Sequence, residues 1–415
     1  MEDLLKGLNK EQKEAVTHDS GPLLIVAGAG TGKTTVITRR IAYLIAKKLA
    51  LPSEILSLTF TDKAAGEMEE RVDELVPYGF VDTWISTFHA FGDRILRDHA
   101  LDLGLTTDFR ILSRPEQVIF IQDNLGAFDL KHFSPLGNPT KHIDALLNHF
   151  SKLKDETITP IEYLEYADRK SKEAKSNEDK IEAEKTLEIA RTYERYQELM
   201  AEAGNLDFGD QINMVIKLFK ESPKVLEKYQ KQFSYILVDE FQDTNFAQNE
   251  LLKLLAKESG NITVVGDDDQ SIYRFRGAAI SNILSFTNDY PKCKQIVLTE
   301  NYRSTQAILD CAYRMIKHNN PDRLEVKNNI VKKLKSMVGS GKTPPIHIHC
   351  DTNTSEADKV ASIIKEKYET DEYSLKDFAI LARSRNSAQT FVQALDHAGI
   401  PYKFSGSAGL YDRPE

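Results

Sequence analysis

The chain has 415 residues, enough for two or three domains, and its 41% hydrophobic content is ordinary for a globular protein. No run of about 18 apolar residues is present to span a bilayer, and the opening MEDLLKGLNKEQ is acidic and polar where a secretory signal would be basic and then apolar, so a cytoplasmic location is expected. Cys293, Cys311 and Cys350 lie too far apart for a disulfide framework or a Cys-x-x-Cys metal site, and a formal charge of −9 gives no global attraction to nucleic acid, so any DNA contact must come from local grooves and stacking.

In chain order, residues 23–27 (LLIVA) read as a buried strand that stops at a glycine-rich turn, AGAGTGKT, before Val36, Ile37, Ile41, Leu44 and Ile45 recur with helical spacing. That succession is what a phosphate loop needs: a strand that ends abruptly, backbone N–H groups turned toward an anion, and a helix N-terminus behind them. Gly28, Gly30 and Gly32 would supply the turn and Ala29, Thr31 and Thr35 complete the contact stretch, while Lys33 would reach the β- and γ-phosphates and the Thr34 hydroxyl would ligate Mg²⁺. The plain alternative is a strand-turn-helix crossover without a ligand. A near copy, GSGKT at 339–343, is followed by Pro344 and Pro345, which deny it a helix; it is expected to be a flexible basic linker.

Further strand-like runs fall at 55–60 (ILSLTF), 235–240 (YILVDE), 262–267 (ITVVGD) and 295–300 (QIVLTE), alternating with helical patterns as in an α/β domain with a mainly parallel sheet. Residues 97–205 lose the strand pattern and read as a solvated helical insertion, in which acids outnumber bases from 151 to 205. Residues 318–345 are rich in Asn, Lys, Gly and Pro and are expected to form a loop or linker. A second α/β pattern then begins at IHIHC (346–350), passes through a helix and reaches FAILAR (378–383).

YILVDEFQDT delivers two acids at a strand end: Asp239 would hold Mg²⁺ through water, and Glu240 would orient or deprotonate the attacking water. VVGDDDQSIYRFRGA repeats the pattern, with Gln270 as a neutral sensor of the γ-phosphate or the water. Beyond it Tyr273, Phe275 and Arg276 interleave aromatics with cations, which suits base stacking and phosphate contact on a single strand; an aromatic core with surface arginines is the alternative.

The ordered set of Leu8, Asn9 and Gln12, then AGAGTGKT, TFTDKAA (59–65), STFHAF (86–91), LDFGDQI (206–212), VDEFQDT, VVGDDDQSIYRFRGA and LTENYRS (298–304) resembles the UvrD/Rep/PcrA group of superfamily 1 DNA helicases, from Leu8 to about Arg413. The resemblance implies a RecA-like P-loop NTPase domain in two parts (1–96 and 206–285), a helical insertion (97–205) and the start of a second RecA-like domain (286–415). It implies 3′-to-5′ movement on single-stranded and 3′-tailed DNA driven by ATP and Mg²⁺, in repair or replication. By motif, Gln12 would read the adenine edge, Tyr302 would stack on the adenine, and Arg303 would act as an arginine finger. Phe60 and His89 would face the DNA; His89 has no neighbouring Cys or His to make it a metal ligand.

Three departures stand out. Thr35 stands where the family commonly has an arginine able to cover the other adenine face, so that face is expected to be either open or covered by Arg39. Asp62 replaces an asparagine near the DNA path, and Phe275 stands where many relatives have tryptophan. The family's last motifs, including a second arginine, are not in the 415 residues, and GLYDRPE resembles the approach to its large second-domain insertion. Two other readings fit the same motifs: the motor half of a helicase-nuclease subunit, and a DNA-binding module that uses ATP only as a conformational switch.

Overall fold

The computed structural model describes residues 2–76, 83–134, 137–273, 277–341, 344–370 and 373–404. It divides into two compact units, residues 1–342 and 343–415.

The first unit is built on six parallel strands in the order β3-β2-β6-β7-β1-β8, where β1 is Leu23–Ala27, β2 Ile55–Thr59, β3 Trp84–Thr87, β6 Tyr235–Val238, β7 Ile262–Gly266 and β8 Lys294–Leu298. Two-residue strands β4 (Arg110–Ile111), β5 (Asn205–Leu206), β9 (Glu300–Asn301) and β10 (Lys335–Ser336) form two small separate pairs. Leu23 pairs with Thr263 on one side and Lys294 on the other, so β1 is interior. Successive side chains of a strand point to opposite faces. Accordingly Leu24 and Val26 enter one apolar core with Leu56, Leu58, Ile236 and Val238, while Leu23, Ile25 and Ala27 enter another with Val36, Ile37 and Ile41. Both faces are covered by helices, which is why these strands read as continuous apolar runs and do not alternate.

The region 97–205 is mostly helical, with Arg114–Asp123, Ile143–Asp155, Pro160–Glu173 and Asn177–Glu202 around a third core that contains Phe150, Tyr193 and Tyr196. The β4-β5 pair ties its two ends together, Arg110 opposite Asn205. Buried Lys154 anchors the insertion to the sheet domain, with Nζ 2.6 Å from Asp207 and 2.8 Å from Asp210.

Four expectations need adjustment. Strand β3, WIST, has no counterpart among the strand-like runs of the sequence, because two apolar residues followed by two hydroxyl residues give no readable period. Strand β8, placed by the sequence in the second domain, pairs along β1. The stretch 318–345 is not a loose linker: Leu324 is buried in the sheet domain's core, and Arg323 and Lys332 are buried among carboxylates. In the second unit the helices Asn353–Glu369 and Arg385–His397 pack around Ala357, Ala361 and Leu395. IHIHC and FAILAR there carry no strand, because no described segment pairs with them; Ile346 and Leu381 stand exposed. Among the described residues no helix is long and apolar enough to cross a membrane.

Candidate nucleotide site and nucleic-acid face

The strand order sets the three loops that carry the candidate residues side by side. β6, β7 and β1 are neighbours, and a parallel sheet presents all their C-terminal ends at one edge, where open α/β sheets bind ligands. β1 runs into the glycine turn and the helix Lys33–Ala46, β6 ends at Asp239 and Glu240, and β7 leads to Asp267–Gln270. Gly30 and Gly32 sit at φ +74° and +89°, and a Cβ at Gly30 would lie 2.7 Å from the Arg303 Cβ, so both conformation and space require glycine there.

Lys33 Nζ donates to Glu240 Oε2 at 2.6 Å and to Gln270 Oε1 at 3.3 Å, so the three strand ends converge on one ammonium group. Glu240 is held at φ +49°, a left-handed conformation rare for a side chain of this kind and typical of functional turns. Gln242 Nε2 donates to the same Oε2 at 2.8 Å. Asp239 is buried and accepts from the Glu240 amide at 2.9 Å. Burial and then the charge of Glu240 push its carboxyl up to about 6, against the pull of Lys33. Such a carboxyl gains from a nearby cation, so its chemistry fits a divalent ion, and the turn with its helix N-terminus fits the phosphates that ion would accompany.

The segment after β8 closes the loop from the other side. Asn301, buried, donates from Nδ2 to the Ala29 carbonyl at 2.6 Å, and its Oδ1 accepts from the Arg303 and Ser304 amides at 3.0 and 2.7 Å. The Tyr302 amide donates to the Gly30 carbonyl at 2.9 Å. Tyr302 and Arg303 therefore share an open cleft of about 390 Å³ with Gln12, Thr35 and Arg39. No described residue pairs with the Arg303 guanidinium. Asn301 lies within LTENYRS, but a lone Asn after a strand carries no signal that it will brace a loop 272 residues upstream.

A second cleft of about 560 Å³ is lined by Phe60, His89, Lys152 and Phe208, among others. Phe60 stacks on Tyr273 at 5.8 Å between ring centres, and Phe208 meets the edge of His89 at 5.6 Å. Burial holds His89 below its usual range, against the pull of Asp62, so it is a neutral ring at pH 7. Phe208, 50% exposed beside these rings, was missed because the LDFGDQI motif alone does not say which of its apolar residues faces out. Phe275 and Arg276 lie outside the described residues.

Residues 8–291 match the UvrD/REP helicase N-terminal domain, and residues 296–415 match the UvrD-like helicase C-terminal domain. The chain belongs to the UvrD/REP helicase family. It is 41% identical over 417 residues to the ATP-dependent DNA helicase PcrA of Bacillus subtilis (strain 168), across 99% of this chain and 52% of that protein. It is 38% identical to PcrA of Leuconostoc citreum, across 100% and 52%. For PcrA of Staphylococcus aureus (strain COL) the identity is 40%, across 100% and 53%. The chain thus spans about half the length of the curated relatives it matches.

Two placements in this UvrD/REP chain qualify the motif roles. Gln12 is braced at both ends of its amide, donating to the Thr31 carbonyl at 2.9 Å and accepting from the Asn9 amide at 3.1 Å, so its direction is fixed and an adenine edge would have to meet the second N–H and the second lone pair. Arg39 lines the Tyr302 cleft, but its Nη1 bonds the Leu4 and Lys6 carbonyls at 3.0 and 2.6 Å, so it is anchored at the cleft wall. In the second GKT copy the Gly339 and Ser340 carbonyls accept from the Gln306 and Ala307 amides. That copy thus offers acceptors to the start of helix Gln306–Ile316, the reverse of what a phosphate needs. Lys342 lies outside the described residues.

Proposed function

We propose that this chain carries the ATPase core of a 3′-to-5′ DNA helicase or translocase that acts on single-stranded and 3′-tailed DNA, in repair or replication and in the cytoplasm. The observation that carries the reading is the convergence of Lys33, Glu240 and Gln270 at one sheet edge, with the Arg303 guanidinium beside the same loop and paired with none of the described residues. Its first RecA-like domain would take in β8 and so extend to Leu298, with the helical insertion between β3 and β6.

In this reading the turn amides and Lys33 hold the β- and γ-phosphates of ATP, and Lys33 leaves Glu240 as it takes up that charge. Glu240 is then free to take the proton from the attacking water. Gln270 orients that water through Oε1, and Arg303 meets the negative charge that develops on the γ-phosphoryl group. Thr34 and Asp239 would hold Mg²⁺, which supplies further neutralisation of the phosphates. Gln12 and Tyr302 would bind the adenine. Phe60, His89, Phe208 and Tyr273, together with Phe275 and Arg276, would stack on bases and contact the backbone, a mode tolerant of sequence and independent of net charge.

Phosphate release with and without single-stranded DNA, followed by strand displacement on 3′-tailed and 5′-tailed duplexes, tests the reading. DNA-stimulated release with preference for the 3′ tail is expected; ATP binding without turnover in either condition would favour an ATP-switched binding module.

A further inference from the structure

Three consecutive aspartates follow β7, and their carboxylates lie within 4.8 Å of one another. They do not form an open cation site, because the chain fills it itself. Lys332 Nζ sits 2.6 Å from Asp267 Oδ1 and 2.8 Å from Asp269 Oδ2, and also bonds Asp268 Oδ1. Arg323 grips both oxygens of Asp269 at 2.7 and 2.6 Å and reaches Glu325 at 2.7 Å. The Leu324 amide donates to Asp268 Oδ2 at 2.8 Å. Lys332 is desolvated, yet the three carboxylates more than offset that and hold its ammonium above the usual lysine range.

Asp267 has a second partner. Its Oδ2 accepts from Gln270 Nε2 at 2.8 Å, while Gln270 Oε1 accepts from Lys33. One carboxylate therefore has one oxygen on Lys332 and the other on Gln270. An amide whose NH₂ is pinned presents its carbonyl in one direction, here toward the nucleotide site. The aspartates fall in the N-terminal family domain, and Arg323 and Lys332 fall in the C-terminal one.

We propose that Lys332 is a positioning residue for ATP hydrolysis: by fixing the Asp267 carboxylate it aims Gln270, and it thereby links residues 317–334 to the nucleotide site. The inference rests on the role given above to Gln270. Without the ammonium the three carboxylates repel one another, Asp267 turns, and Gln270 loses its fixed direction while Lys33 and the glycine turn keep their own contacts.

The test compares Lys332→Met, Asp267→Asn and Gln270→Ala, alone and with each of the first two combined with the third. Lys333→Met is the control, since Lys333 is exposed and its ion pair among the described residues is with Asp310 at 3.3 Å, away from the three aspartates. The single-turnover rate should fall roughly tenfold to a hundredfold in Lys332→Met, as for the loss of an outer-shell contact, with binding of a fluorescent ATP analogue unchanged. The double variants should be no slower than Gln270→Ala alone, because both changes disable one unit. Full-rate turnover in Lys332→Met, or losses that multiply with Gln270→Ala, would overturn the proposal. Should Lys332→Met not fold, Asp267→Asn carries the same test, because it keeps the side-chain volume and removes the charge that Lys332 and Gln270 share. If the wild-type chain shows no turnover, the reading of the site fails, and hydrogen exchange still decides the inference. Faster exchange in 267–271 of Lys332→Met, with 23–33 unchanged, supports it, and equal exchange overturns it.

Discussion

Lys33 and Glu240, 207 residues apart in sequence, are joined by an ion pair of 2.6 Å that bridges the ends of β1 and β6 across the end of β7. In the proposed function each is the partner that the other would have to leave: Lys33 to reach phosphate, and Glu240 to reach water. The pair would keep a cation and an anion satisfied until a nucleotide competes for the cation.

From that relationship, Glu240→Gln should bind ATP at least as well as the wild type, since Lys33 no longer has a carboxylate to abandon. The chemical step should slow by about 10²- to 10⁴-fold, the range for loss of a positioned base. Equilibrium titration together with single-turnover hydrolysis separates the two effects. Lost nucleotide affinity would assign Glu240 to the metal shell.

On the nucleic-acid face, Phe208→Ala should weaken binding of single-stranded DNA by about 1–3 kcal/mol, the worth of one base stack, with little dependence on sequence. Half of this ring is exposed, so the fold should tolerate its loss. Fluorescence anisotropy with oligonucleotides checks the first point and thermal melting the second. Unchanged DNA affinity would remove Phe208 from the binding face.

Much of this was legible in the sequence because buried parallel strands write themselves as apolar runs: LLIVA, YILV and ITVVG each end where the structure puts a functional loop. Gln270 and Lys33 were readable because glycine turns and strand-end polar groups have a chemistry of their own. Residues 317–334 were not. Arg323 and Lys332 sit among Asn, Lys and Pro in a stretch that looks solvated, and only the fold brings three aspartates from about 60 residues upstream to bury them. The strands expected at IHIHC and FAILAR failed for a related reason: a strand is a property of a pair, and apolar residues alone do not supply the partner.

Asp155 gives a pH dependence with a definite sign. Burial is the main cause that pushes its carboxyl up to about 6, against the hydrogen bond from Asn245 at 2.7 Å. Unfolded, it titrates near about 4. The folded state therefore binds the proton more tightly, and the stability contributed by this group is full below that value and is lost as pH rises through 6. Asp155→Asn does not titrate, so its stability relative to the wild type should rise between pH 4 and 6 and then level off. Urea denaturation of both proteins across that range checks the sign, and a difference that does not vary with pH would contradict it.

Which GKT holds the phosphates decides the proposed function, and ATP turnover in the matched pair Lys33→Ala and Lys342→Ala measures that directly. Removing Lys33 takes away the side-chain cation of the glycine turn, and a preorganised donor of this kind is worth on the order of 10²- to 10³-fold in rate. Lys33→Ala should therefore lose hydrolysis and bind ATP weakly, while Lys342→Ala keeps the wild-type rate. Near-normal turnover in Lys33→Ala, or its loss in Lys342→Ala, would contradict the account.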